Sequence, residues 1–262
     1  KMDIGSAKVT KQEQQEVKHH LIDIYDPDQQ FSVALYQKNV RKMISDFESE
    51  GKLPIIVGGT GLYIKSVLYD YNFDDAKRDP SLEKKYKDLD NQSLHQLLKV
   101  KDPLQSEKIH PNNRKRVLQA LSRSGKNKIS DHTNKDEKVY DSIVIGLTME
   151  RSKLYERINK RVDQMIEDGL IEEVKSLYNE GYKGYAMDAI GYKELFQYFD
   201  GSHSLEDAIE LIKQHSRNLA KKQYTFFNNQ MDVNWITVDP SNFNQVIETA
   251  KALIDNYKGD IR

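Results

Sequence analysis

The apolar run Leu53-Pro54-Ile55-Ile56-Val57 breaks into Gly58-Gly59-Thr60-Gly61 and is followed at once by a helix-like pattern, Leu62-Tyr63-Ile64-Lys65-Ser66-Val67. Strand, glycine turn and helix in that order leave few folds open. The expectation is a parallel α/β sheet, with the run as a buried strand and the helix returning behind it. The same order points backbone N–H groups and a helix N-terminus toward an anion. It is not a Walker A loop, which needs Lys and then Ser or Thr after its last glycine, where Leu62 and Tyr63 stand. Taken alone, the turn is equally consistent with a tight connection in which glycine supplies a positive φ.

Composition narrows the choice. A chain of 262 residues allows one large domain or a core with an insertion. With no cysteine there is no disulfide framework, thiolate zinc site or thiol nucleophile. No apolar run approaches the roughly 18–20 residues of a membrane span, and no signal peptide opens the sequence, so a cytoplasmic protein without membrane contact is expected. The net charge of −1 hides an asymmetry, because Lys77 to Lys138 holds 16 Lys and Arg against 9 Asp and Glu. Such a block suggests nucleic acid as partner, although a solvated Lys-rich surface has the same composition.

Periodicity predicts a helix over Phe31 to Glu50, ending at Gly51. Asp74 to Lys138 reads as a helical insertion, with Leu94, Leu97 and Leu98 as one apolar seam and Val117, Leu118 and Leu121 as another; its end, Ser124 to Lys138, reads as mobile. A buried strand is expected within Val139 to Thr148. Helices follow over Ser152 to Glu180, Met187 to Phe199 and Leu205 to Phe227, then a strand over Asn234 to Val238 and a helix from Asn242 to Tyr257.

Seven separated motifs then line up in one order. They are Met2-Asp3-Ile4-Gly5-Ser6-Ala7-Lys8, His20-Leu21-Ile22-Asp23-Ile24, and Val57 to Tyr63. Next come Ile109-His110-Pro111-Asn112-Asn113 with Arg114-Lys115-Arg116, and Leu154-Tyr155-Glu156-Arg157-Ile158 with Arg161. The last two are Ala189-Ile190-Gly191-Tyr192-Lys193-Glu194 and Leu219-Ala220-Lys221-Lys222-Gln223-Tyr224-Thr225. Together they resemble the bacterial tRNA dimethylallyltransferase family along essentially the whole chain.

The resemblance implies a P-loop-kinase-like α/β core, a parallel sheet flanked by helices, over 1–73 and 139–262. It implies a helical insertion over 74–138 that grips the anticodon stem-loop. The implied reaction moves a dimethylallyl group from dimethylallyl diphosphate, with Mg²⁺, to N6 of the adenosine 3′ to the anticodon, in a monomeric enzyme. The family's Walker-type loop and catalytic Asp are expected ahead of Lys1. Val9 and Ser6 depart from the family's Pro and Thr, Lys222 from an Arg, and Phe226-Phe227-Asn228 from a Trp-x-Arg-like ending. Asp188 stands where relatives often carry Arg or Gln, and no role is carried to it.

The implied site follows from the reaction's needs. An adenine N6 is a poor nucleophile, so catalysis relies on fixed positive groups and N–H donors on the leaving diphosphate, and on a base flipped out of its stack. The catalytic assignments are Arg161 and Thr60; the diphosphate falls to Gly58, Gly59 and Arg157, since Arg157 and Arg161 are i,i+4 neighbours. Salt bridges to Glu156 or Asp163 are the competing explanation of the two arginines, and an N-cap that of Thr60. For the RNA, the assignments in the insertion are Arg114, Lys115, Arg116 and Gln119. Cations at a helix start oppose the dipole, which favours a functional reading there. Gly191, Tyr192 and Lys193 follow, then Arg217, Lys221, Lys222, Gln223, Tyr224, Thr225 and Phe226, where charge and stacking surface mix. Lys213, Arg217 and Lys221 recur every fourth residue, as in a phosphate-contacting stripe or a solvated face. His19 and His20 lack metal-ligand spacing, no protein metal site is expected, and Trp235 reads as core. A small-molecule kinase of the same fold and a non-catalytic tRNA-binding module are the alternatives.

Overall fold

The structure, a computed structural model, describes residues 1–71, 73, 81–123 and 137–257. The helices are α1 (Lys11–Glu16), α2 (Val33–Ser49), α3 (Gly61–Leu68), α4 (Ser81–Lys85), α5 (Asn91–Lys101), α6 (Pro103–Lys108) and α7 (Arg114–Arg123). After strand β1 (Ile145–Thr148) come α8 (Arg151–Glu167), α9 (Leu170–Asn179), a 3-10 turn (Tyr185–Asp188), α10 (Tyr192–Phe199) and α11 (Leu205–Gln230). Strand β2 (Asn234–Thr237) and α12 (Phe243–Asn256) close the chain. It divides into two compact units, Lys1–Lys65 with Asp141–Arg262, and Ser66–Tyr140, so the first boundary falls inside α3 rather than after Phe73.

The larger unit is mostly helical. Its core gathers Val162 of α8, Leu170, Val174 and Leu177 of α9, Tyr192 and Leu195 of α10, and Ala208 and Ile212 of α11, with Met2 and Ile4 packed against them. Strands β1 and β2 pair in parallel, Gly146 opposite Trp235. The indole lies over Gly146, where a Cβ would come within 2.6 Å of the ring, so Trp235 packs on the sheet.

Two expectations change here. Leu53 to Val57 forms no strand and has no ladder partner among the described residues; Leu53, Ile55 and Val57 are 69%, 81% and 91% exposed. A strand exists through its neighbour's hydrogen bonds, and apolar composition alone does not supply them. The helix expected over Ser152 to Glu180 is two helices, because Gly169 takes φ +100 and ends the first. Such a φ is open to glycine at little cost. Gly191, at φ +96, likewise separates the 3-10 turn from α10.

The smaller unit is a helical cluster in which both predicted seams meet: Leu94, Leu98, Ile109, Val117, Leu118 and Leu121 are buried together, with Leu97 against them. Asp90 caps α5 by accepting from Ser93 N, and Asp102 caps α6 ahead of Pro103. His95 Nε2 sits 3.0 and 2.8 Å from the carbonyls of Ser106 and Ile109, a structural role. Residues 124–136 of the segment expected to be mobile lie outside the described residues, as do 74–80.

Candidate functional site

Glycine is needed in the turn for room rather than for φ. None of Gly58, Gly59 and Gly61 takes a positive φ. A Cβ on Gly59 would overlap the Gln223 amide, and one on Gly61 would overlap the Phe226 ring, while the space round Gly58 is open. Gln223 and Phe226, both assigned to RNA on sequence, therefore lie against the turn from α11. Lys65 of α3 reaches the same helix, its Nζ donating to Gln230 Oε1 at 3.1 Å. Thr60 sits ahead of α3, its carbonyl accepting from Tyr63 N and Ile64 N at 2.9 and 3.2 Å. Its exposed hydroxyl has no partner among the described residues, so it is not spent on capping. Beneath the turn Tyr63 stacks on Tyr36 with centroids 4.7 Å apart, and burial raises both phenol pKa values.

Arg157 and Arg161 stand exposed on α8. The salt bridges that would explain them away are absent, because both candidate carboxylates are taken. Glu156 pairs with Lys160 at 2.7 Å and Asp163 with Lys213 at 2.8 Å. Among the described residues neither guanidinium has an ion pair or hydrogen bond. Asp163 also raises the Lys213 pKa, through a hydrogen bond that outweighs partial burial. Asn159 accepts from Arg217 Nη1 at 2.6 Å, so the first two members of the α11 stripe are stitches to α8. At about 100° per residue Arg157 and Arg161 share one face, about 120–160° round α8 from Asn159 and Asp163.

The rest of the assignment on α10 and α11 divides. Tyr192 is 1% exposed, its hydroxyl donates to Glu173 Oε1 at 2.6 Å, and burial followed by that bond raises its pKa. It is an inward core tyrosine and cannot meet RNA, which corrects the sequence assignment. Gly191 is buried too, its N–H donating to Glu194 Oε2 at 2.8 Å, while His215 Nδ1 lies 2.7 Å from Glu194 Oε1. Thr225 spends its hydroxyl on the Lys221 carbonyl at 2.9 Å, and Tyr224, half exposed, packs on Trp235 with centroids 5.0 Å apart. Lys193, Lys221 and Lys222 are exposed cations.

In the helical unit Arg114 has a structural role. Its guanidinium donates to the carbonyls of Leu89, at 2.6 Å, and Tyr86, so it ties α7 to the chain ahead of α5. Those carbonyls supply the compensation that a cation at a helix start otherwise lacks. Lys115, Arg116 and Gln119 remain exposed on the face of α7 opposite the buried Val117, Leu118 and Leu121.

A third feature was not legible in the sequence. Lys8 Nζ bridges the carboxylates of Asp3 and Asp23. Lys8 lowers the Asp3 pKa by its hydrogen bond; burial disfavours the Lys8 ammonium, but the bonds to Asp23 and Asp3 raise its pKa overall. Lys8, Asp23, Tyr25, Phe31 and Met2 line a recess of about 480 Å³. Glu173, Glu194 and Asn159, which organise these segments, act over long sequence separations that no local spacing reveals.

A family model described as IPP transferase matches residues 1–230. Among curated relatives, the tRNA dimethylallyltransferase of Bacillus pumilus strain SAFR-032 is 49% identical over 248 residues, 91% of this chain and 78% of its own. That of Bacillus subtilis strain 168 is 50% identical over 249 residues, covering 91% and 79%. The crystal structure of a tRNA Δ2-isopentenylpyrophosphate transferase from Staphylococcus epidermidis superposes with TM-score 0.70 at 42% identity, covering 97% of this chain and 86% of that one. A eukaryotic dimethylallyltransferase acting on tRNA shares the fold, with TM-score 0.83 at 24% identity over 99% of this chain and 71% of its own.

Proposed function

The chain belongs to the IPP transferase family, the tRNA dimethylallyltransferases, and from that premise we propose how its residues serve the reaction. The protein transfers a dimethylallyl group to N6 of the adenosine 3′-adjacent to the anticodon of tRNA. A small-molecule kinase and a non-catalytic RNA module, the alternatives open on sequence, are set aside by that membership. The donor is dimethylallyl diphosphate, and the core is a P-loop-kinase-like α/β fold. As the allylic C–O bond breaks, negative charge grows on the diphosphate, and Arg157 and Arg161 meet it with the Gly58 and Gly59 N–H groups. The observation that supports this most directly is that both arginines are exposed and unpaired although acidic residues flank them.

Thr60 presents its free hydroxyl to the reacting groups. Among the described residues no three His, Asp or Glu side chains gather as a metal cage. Mg²⁺ takes hard oxygen donors, and the exposed, unpartnered Thr60 hydroxyl beside the diphosphate-binding glycines is one that would help to hold it. Bound there, the ion would neutralise charge on the leaving group. Lys115, Arg116 and Gln119 contact the stem-loop from the helical unit, and Lys193, Lys221 and Lys222 from the larger one. No helix of the described residues is long and apolar enough to cross a membrane.

The test is transfer of label from dimethylallyl diphosphate to an anticodon stem-loop, run beside γ-labelled ATP. Prenyl label should enter the RNA, and a guanosine in place of the target adenosine should abolish it. Phosphoryl label without prenyl label, from the full-length protein, would overturn the reading.

A further inference from the structure

One carboxylate holds a whole turn of this chain. Glu173 Oε2 accepts from Asp3 N at 2.8 Å and Ile4 N at 2.9 Å, and its Oε1 accepts from Gly5 N at 3.2 Å as well as from the Tyr192 hydroxyl. Four donors on two oxygens come close to filling a carboxylate. Three successive N–H groups converging on one point make a concavity of the kind that elsewhere takes a phosphate. Here Glu173 occupies it, so the turn is clamped rather than open to a ligand. Tyr192 closes the clamp from the other side, since a Cβ on Gly5 would lie 2.6 Å from its ring.

What the clamp holds is strained. Ala7 takes φ +48 one residue before Lys8, and Leu21 and Asp23 take +61 and +54 beside the other end of the Lys8 bridge. Non-glycine residues persist in that region only where their surroundings over-determine them, and they cluster where geometry is used. The Glu173 and Tyr192 bonds fix one end of this segment and the Lys8 bridge fixes the other. Lys8 itself lines the recess with Tyr25 and Phe31, and the Phe31 carbonyl accepts from the Tyr63 hydroxyl of α3, the helix that follows the glycine turn, at 3.3 Å.

We infer that Glu173 is a positioning residue for prenyl transfer: with Tyr192 it sets the Asp3–Ala7 turn and thereby places Lys8 against Asp23 at the recess. This rests on the functional reading above. Gln at 173 offers one acceptor and turns two N–H donors toward a ring of donors, so it cannot replace the carboxylate. In the full chain Glu173→Gln should lower kcat about 10- to 100-fold, as misplacing a distant support does. KM for the stem-loop should change less than about threefold, since uniform binding is untouched. Tyr192→Phe keeps the core volume, loses one bond and should cost kcat about three- to tenfold. In both variants the Asp3, Ile4 and Gly5 amides should exchange with solvent faster, read by NMR.

Unchanged kcat in either folded variant overturns the inference, as does reduced kcat with those amides still protected. If Glu173→Gln does not fold, Tyr192→Phe decides. A wild-type protein that transfers no prenyl group sinks the functional reading instead, while the exchange data still test the clamp.

Discussion

Replacing Arg161 with alanine separates what that side chain does for the fold from what it does for the reaction. The guanidinium is exposed, and its two acidic neighbours are engaged by Lys160 and Lys213 at 2.7 and 2.8 Å. Truncation therefore removes no bond from the folded state, and stability should change by no more than about 0.5 kcal/mol, as for featureless surface sites. A cation that meets charge developing on the leaving diphosphate is worth far more: losing one such group costs about 10²–10³ in kcat, or ~2.7–4 kcal/mol. Because the interaction is made in the transition state, kcat and kcat/KM should fall together. The assay is single-turnover and steady-state prenyl transfer to an anticodon stem-loop, with thermal unfolding and RNA binding measured on the same samples. Arg161→Lys should recover only part of the rate, because an ammonium does not reproduce the planar bidentate fork. Near-normal kcat in Arg161→Ala would refute the reasoning, reduce Arg161 to a surface cation and pass the role to Arg157.

The cations of α7 should separate in the same way. Arg114→Ala strands the Tyr86 and Leu89 carbonyls and should destabilise the helical unit by about 1–3 kcal/mol. Charge reversal of Lys115 and Arg116 should leave stability alone and cut the slope of log K against log salt for RNA by about 1.4–1.8 units, at ~0.7–0.9 per phosphate contact; an unchanged slope would make the pair a solvated surface. Gly169→Ala meets no crowding, its nearest neighbours lying at 3.6 and 3.9 Å, so its cost is the φ of +100 alone. It should lower stability by about 1–2 kcal/mol, seen as a lower urea midpoint with unchanged m, and an unmoved midpoint would show that the backbone there relaxes freely.

Local pattern made much of this molecule readable. The apolar seams of α5 and α7 and the uninterrupted run of α11 carry their signal within a few residues. The errors arose where a distant partner decides. Arg114 looked like a misplaced cation because the carbonyls that absorb it belong to Tyr86 and Leu89, 28 and 25 residues away. Tyr192 stood in a motif beside Lys193 and seemed to share its exposure, yet helical geometry turns neighbours about 100° apart and sends one inward. Leu53 to Val57 had the composition of a strand but not the ladder. Glu173 gave no signal at all, since its donors lie some 170 residues earlier.

The contact between Gly61 and Phe226 also sets the order in which this protein can evolve. A methyl group at 61 would overlap three ring atoms of Phe226, so that change taken first drives a rigid side chain into backbone. Taken second, after 226 has become a smaller apolar residue, it fills space already vacated. The first step then leaves a partial cavity, a milder intermediate because neighbouring side chains can relax into it. The two positions lie 165 residues apart in the chain and yet form one lock that opens from the Phe226 side only.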